Sequence, residues 1–289
     1  MRKIKKIIRT LSTDFIQKLI IRVLVFTGIN NKYILFTDKK AQKNKVNLNY
    51  CHDFKNVGDN ISPIIVEYVA KKYNINLEKN VDETKHLYAV GSILTAGAQD
   101  CVVWGSGILN TNILYRLNGR NFDVRSVRGP ITRSILLDRG IYAPPIYGDP
   151  AILMPNIYNP KVEKKYFASV ITHVDEKIDI TDNNINIISI TTDDYKKFVQ
   201  EIVSSKIIIS SSLHGIIFAE AYGVPAILLR PKSDLLKYFD YYYSTDRYDF
   251  PIVDTVEEAL QTCPAEIPNF EEQRINLIKS FPKDLWLVE

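Results

Sequence analysis

From Lys45 onward the chain alternates short apolar runs with stretches in which apolar residues recur every three to four positions. That alternation predicts a sheet of buried strands joined by helices, an α/β protein. VNLNYCHD reads as a strand, FKNVGDN as a loop and ISPIIVEYVAKKY as a helix. HLYAVGSIL and CVVWGSGIL read as two further strands that run out into glycine and small residues. FDVRSVRG reads as a strand edge, and PITRSILLDRG as a helix with Pro130 in its first turn and Gly140 past its end. APPIYGDPAILMPNIYNP then breaks the pattern with its prolines, and a domain boundary is expected near Tyr147.

The second half repeats the alternation. YFASVITH and NINIISIT are expected strands, DDYKKFVQEIVSSK a helix opened by acidic residues, and KIIIS a strand. SSLHGIIFAEAYG supplies the next helix and VPAILL the strand after it; TVEEALQTC and FEEQRINLIKSF are expected helices. Two lobes of similar size follow, residues 1–147 and 148–289, with a cleft between them for a ligand.

The first 26 residues differ from the rest. MRKIKKIIRTLSTDFIQKLIIRVLVF places five Lys/Arg among its first nine positions, and Ile4, Ile7, Ile8, Leu11 and Phe15 recur at helical spacing. Arg22 interrupts the apolar run and no small-residue cleavage site follows, which argues against a secretory signal. No stretch reaches the ~18 uninterrupted apolar residues of a membrane span. Two readings stand: a basic amphipathic helix on an anionic membrane surface through residues 1–28, at the inner face of the cytoplasmic membrane, or a first helix packed on its own domain.

Composition narrows the function classes. The chain has 289 residues, 46% hydrophobic and 24% charged, with a formal net charge of +4. That balance suits a soluble cytoplasmic protein with a large core, argues against a dedicated nucleic-acid binder, and permits small anionic substrates. Cys51, Cys101 and Cys263 are scattered without metal-ligand spacing, so no metal is expected.

In open α/β sheets the functional loops leave the carboxyl ends of strands. The loops so placed are 56–60, 105–107, 128–130, 148–150 and 210–215. SSLHG sets Ser211, Ser212 and Leu213 beside His214 at a strand-to-helix junction, where hydroxyls and free N–H groups can meet an oxyanion. In the first helical turn the dipole disfavours a charged imidazole, and a bound anion would offset that. The alternative is that the serines cap the helix and His214 satisfies a buried carbonyl. Arg128 of VRGP could grip an anion in bidentate fashion, or bridge to an acidic neighbour across the cleft. Asp59 of NVGDN could cap a helix or receive a sugar hydroxyl, and GDP at 148–150 could be only a turn. WGSGILN lacks the third glycine of a dinucleotide fingerprint, and no GxSxG, HExxH or phosphate-loop lysine motif occurs.

Together NVGDNIS, WGSGI, SVRGPITR, YGDPAILMP, SSLHGIIFAEAYGVPAILL and LLKYFDYYYS resemble the polysaccharide pyruvyl transferase family. The resemblance implies two Rossmann-like lobes in a GT-B-like arrangement. It also implies transfer of a pyruvyl group from phosphoenolpyruvate, with no further cofactor, onto two hydroxyls of a sugar in a capsular or exopolysaccharide, leaving a cyclic ketal and phosphate. On that basis His214 is the expected general acid or donor contact, with Asp59 or Asp149 helping to deprotonate or orient the acceptor. Arg128 and Lys237 are expected to bind the donor's phosphate and carboxylate, with Arg230 and Lys232 competing for the lysine's part. Ser211, Ser212, Leu213, Gly105 and Ser106 complete the donor side; Asn56 and Asn60 are assigned to the acceptor. His52, His86 and His173 are set aside because none sits at a strand-to-helix junction. A basic N-terminal helix would suit a lipid-carried oligosaccharide acceptor. The rival readings are a nucleotide-sugar glycosyltransferase on the same frame and a non-catalytic member of a polysaccharide assembly complex.

Overall fold

The structure, a computed structural model, describes residues 41–51, 55–97, 99–174, 176 and 184–287, together with Leu19 and Val23. The membrane-surface reading of residues 1–28 therefore falls outside the described residues, apart from those two positions. Among the described residues no helix is long and apolar enough to cross a membrane.

The fold is α/β with two parallel sheets. The first holds β1 (Val46–Asn49), β2 (Lys85–Tyr88), β3 (Cys101–Trp104) and β4 (Phe122–Ser126) in that order. The second holds β5 (Tyr166–Ile171), β6 (Ile185–Ile187), β7 (Ser205–Ser210), β8 (Ala226–Leu229) and β9 (Ile252–Val253) in the order β6-β5-β7-β8-β9. Every pairing between these strands is parallel. Strands covered on both faces need apolar residues throughout, which is why CVVW and AILL are buried at every position.

Helices run between the strands. A four-residue turn, α1 (Val57–Asn60), leads into α2 (Ser62–Lys72), which carries Pro63 at its start and Lys71 and Lys72 in its last turn. α3 (Pro130–Asp138) follows β4, and α4 (Tyr195–Val203) follows β6 with the Asp194 side chain capping the Lys197 amide. α5 (Leu213–Ala221) has all nine residues buried, so it is a core helix and not a surface one. α6 (Leu236–Tyr243), α7 (Val256–Gln261) and α8 (Glu271–Lys279) complete the set.

Several expectations change in extent. The strand expected over HLYAVGSIL ends at Tyr88, because the chain turns at Gly91, whose φ of +104° a side-chain-bearing residue rarely adopts. The proline-rich boundary holds a 3-10 turn, Pro150–Asn156, capped by Asp149 and buried from Pro150 to Met154. The largest buried cluster runs through this turn and joins Val66 and Val69 of α2 to Phe218 of α5 and Tyr241 of α6.

The C-terminal segment returns to the first sheet. Trp104 Nε1 donates to Leu277 O at 2.8 Å and Tyr73 OH to Ile278 O at 2.9 Å. Phe281 stands edge-on to Trp104 and stacks on Trp286. This contact ties the last element of the chain to strand β3.

Candidate functional site

A cavity of about 560 Å³ opens at the carboxyl ends of the strands of both sheets. Cys51 and the α1 turn (Asn56, Asp59) follow β1, Gly91–Ile93 follow β2, and Arg128 follows β4; from the second sheet come His173 and Val174 after β5 and Ser212–His214 after β7. Lys237 of α6 closes one side. A larger groove beside β1, about 570 Å³ and lined by Lys45, Asn47, Glu67 and Trp286, contains none of the motif residues. The motif residues therefore gather at the cavity at the strand ends, the usual place for a ligand in such sheets.

His214 lies in the first turn of α5 with 11% of its side chain exposed. The ring packs on the α1 turn: a β-carbon added at Gly58 would sit 2.1 Å from Nδ1. That close approach explains the glycine of NVGDN. On its other side Nε2 is 3.9 Å from Asp149 Oδ2, and both atoms are buried without a hydrogen-bond partner. Burial, reinforced by Lys237, Arg128 and His173, pushes the imidazole down to about 3, so it is neutral at pH 7. Asp149 is fully buried, and its Oδ1 accepts the Ala151 amide at 3.0 Å. Burial raises its carboxyl to about 6, with the Ala151 amide and Arg128 opposing.

Arg128 resolves its two readings toward an acidic partner. The guanidinium is fully buried; Nε donates to Asp240 Oδ2 at 3.1 Å, one terminal nitrogen to Ser92 Oγ at 2.5 Å, and the other to Ile108 O at 2.9 Å. Asp240 also accepts the Thr132 amide at 2.9 Å and the Thr132 hydroxyl at 2.7 Å. The second glycine of WGSG makes room, since a β-carbon at Gly107 would lie 2.4 Å from Arg128 Cζ. Arg128 still lines the cavity, so it can meet a ligand while it anchors α6. Lys237 shares α6 with Asp240 one turn away, and its ammonium sits 5.0 Å above the Tyr238 ring. Tyr238 OH in turn donates to Ser211 O at 2.5 Å, which fixes α6 against the SSLHG junction.

The cap of the α1 turn is Asn56, not Asp59: Asn56 Oδ1 accepts the Gly58 amide at 3.1 Å, and Nδ2 donates to Asp59 Oδ2 at 2.8 Å. Asp59 is left to face the cavity. Burial raises its carboxyl to about 7, with Lys237 pulling it down and Asp149 pushing it up. Among the described residues it is the one carboxyl that lines the cavity.

The structure thus brings Asn56, Asp59, Arg128, Ser212, Leu213, His214 and Lys237 to one cavity. Asp149 reaches it only from behind His214. Asn60 points elsewhere, its amide donating to Asp193 Oδ1 at 3.1 Å. Ser211 hydrogen-bonds Glu176 and accepts the His173 amide at 3.0 Å. Ser106 Oγ donates to Gly91 O at 2.7 Å, and Gly105 packs on Pro150, so both brace loops without lining the cavity. Sequence reasoning missed His173, Ser92 and Asp240. His173 and Ser92 follow strand ends, a signal the loop survey could have used. Asp240 carries no local signal, because it meets Arg128 only through the packing of α6.

The chain is similar to known proteins in sequence and in fold. An uncharacterized protein of Acanthamoeba polyphaga mimivirus is 26% identical over 222 residues, covering 70% of this chain and 75% of that protein. The crystal structure of a functionally uncharacterized protein from Klebsiella pneumoniae subsp. pneumoniae shares the fold at TM-score 0.50 and 14% identity, over 73% of this chain and 94% of the other. The family model for polysaccharide pyruvyl transferase matches residues 51–233, a span that takes in the α1 turn, Arg128, Asp149 and His214 and stops just short of α6. With that match over more than half its length, the chain belongs to the polysaccharide pyruvyl transferase family.

Proposed function

We propose that the protein transfers the pyruvyl group of phosphoenolpyruvate onto two hydroxyls of one sugar in a polysaccharide or its repeat unit, with the donor held between the two sheets acting as lobes of a GT-B-like pair. The observation that carries this reading is the cavity's charge: Arg128 and Lys237 converge on it, and its lining carboxyl, Asp59, is held near 7. Such a site suits a small donor with about three negative charges. Its volume of about 560 Å³ lies within the ~300–1,000 Å³ of small-ligand sites and leaves room for a sugar beside the donor.

The proton-handling roles follow from the two perturbed groups, and they exchange those suggested by the sequence. A neutral imidazole is a base, and a carboxyl near 7 is the better acid; a bound trianion raises it further. Asp59 protonates C3 of the enol while the first sugar hydroxyl attacks C2 and gives its proton to His214. The second hydroxyl then displaces phosphate at C2, returning a proton to Asp59, and the imidazolium protonates the departing phosphate. Both hydroxyl protons are accounted for, one on the new methyl group and one on phosphate, and both side chains end as they began.

A thermal-shift comparison tests the donor. Millimolar phosphoenolpyruvate should stabilise the protein, by about 2.7 kcal/mol at a hundredfold excess over Kd. Nucleotide sugars should not. Stabilisation by a nucleotide sugar and none by phosphoenolpyruvate would replace this reading with the glycosyltransferase one.

A further inference from the structure

We infer that Asp149 is the positioning residue of His214: its carboxylate holds the Nε2 proton of the imidazole, leaves Nδ1, the ring nitrogen on the α1-turn side of the cavity, as the base, and stabilises the imidazolium that forms when the acceptor hydroxyl gives up its proton. The inference rests on the reading of His214 as the base.

Three observations carry it. Asp149 is absent from the cavity lining, and the ring of His214, which does line it, stands beside its carboxyl. Oδ2 and Nε2 face each other at 3.9 Å, each buried and without another hydrogen-bond partner. Buried polar atoms of this kind are normally satisfied, so the two complete one another. At 3.9 Å the two atoms are within ion-pair range and about an ångström beyond a hydrogen bond, so a small rotation of the ring brings them together. Finally, Asp149 is held from moving away by the Ala151 amide on Oδ1 at 3.0 Å.

The surroundings make such a partner necessary. The imidazole faces Lys237 from α6, Arg128 from the loop after β4 and His173 from the loop after β5, all of which oppose a positive charge on it. Asp59, on the turn under the ring, is the other carboxyl nearby, and it is held near 7. Asp149 is the group aligned with a ring nitrogen. A carboxylate behind a catalytic imidazole fixes its tautomer and steadies its cationic form, which is the division of labour in the serine-protease triad.

Asp149→Asn separates this role from a structural one, because asparagine keeps the oxygen that caps the Ala151 amide but offers Nε2 an N–H in place of an acceptor. Nitrogen-15 spectra of the histidine-labelled full-length protein at pH 7, with the His214 signals assigned by their loss in His214→Ala, should show the Nε2–H tautomer in the native protein and the Nδ1–H tautomer in Asp149→Asn. In kinetics with phosphoenolpyruvate, kcat should fall on the order of 10³-fold while KM for the donor stays within about threefold. The same tautomer in both proteins, or an unchanged kcat, overturns the role of Asp149. Full turnover by His214→Ala instead overturns the reading of His214 as the base, whatever the spectra show.

Discussion

Two buried pairs of a basic side chain and a carboxylate lie close together in this protein, and they are built to opposite specifications. Arg128 and Asp240 are in direct contact at 3.0 Å, with neither side chain exposed. Asp240 also accepts from the amide and hydroxyl of Thr132, and Arg128 also donates to Ser92 and Ile108. His214 and Asp149 stand 3.9 Å apart with an unsatisfied atom on each. The closed pair can do no proton chemistry, but it pins α6, and with it Lys237, to the loop that follows β4. The open pair contributes little to holding the fold and keeps an unused donor and acceptor next to the cavity. Both pairs are buried, and they differ in how much hydrogen-bonding capacity each leaves unspent.

The comparison breaks most visibly at the closed pair. Asp240→Ala strands a buried guanidinium and should cost about 3–5 kcal/mol, a melting temperature lower by roughly 10 °C by calorimetry. If that variant melts within a degree or two of the native protein, the pair is not the anchor described. The effect expected at Asp59 depends on pH. Its folded-state value of about 7 lies above the ordinary 3.8, so the folded protein holds this proton more tightly than the unfolded chain. The native protein therefore loses stability as pH rises from about 4 to 7. Asp59→Asn escapes that loss: it should be about as stable as the native protein at pH 4 and more stable at pH 8, by on the order of 4 kcal/mol, with a melting temperature that rises accordingly. A gap that is constant across this range would show that the carboxyl is not perturbed. At the open pair, which holds no closed ion pair, His214→Ala should shift the unfolding midpoint in urea by less than the Asp240→Ala shift.

The two pairs also mark how far the sequence could be read. Apolar runs such as KIIIS and VPAILL announced buried parallel strands, and the glycine-bearing motifs after them announced loops at the strand ends. His214, Asp59 and Arg128 were legible because each lies in one of those motifs, and Lys237 only through the resemblance of LLKYFDYYYS. Roles were not legible where they depend on packing between distant segments. Asp240 faces Arg128 across 112 residues of chain, and nothing in LLKYFDYYYS distinguishes its carboxylate from a solvated one. Asp149 looked like part of a turn on the acceptor side, and only the 3-10 turn it caps sets it behind the imidazole. Asn60 and Ser106 carried the right residue types in the right motifs, yet they support neighbouring loops. The exchange of acid and base likewise depends on burial, which a string of letters does not report.

The central claim is that His214 handles the proton of the attacking hydroxyl while the donor sits between Arg128 and Lys237. Single-turnover release of phosphate from phosphoenolpyruvate in the presence of a polysaccharide acceptor measures it directly, native protein against His214→Ala at saturating donor. The account predicts stoichiometric phosphate with a ketal on the sugar from the native protein, and a rate lower by about 10³-fold in the variant. Equal rates in the two proteins would contradict it.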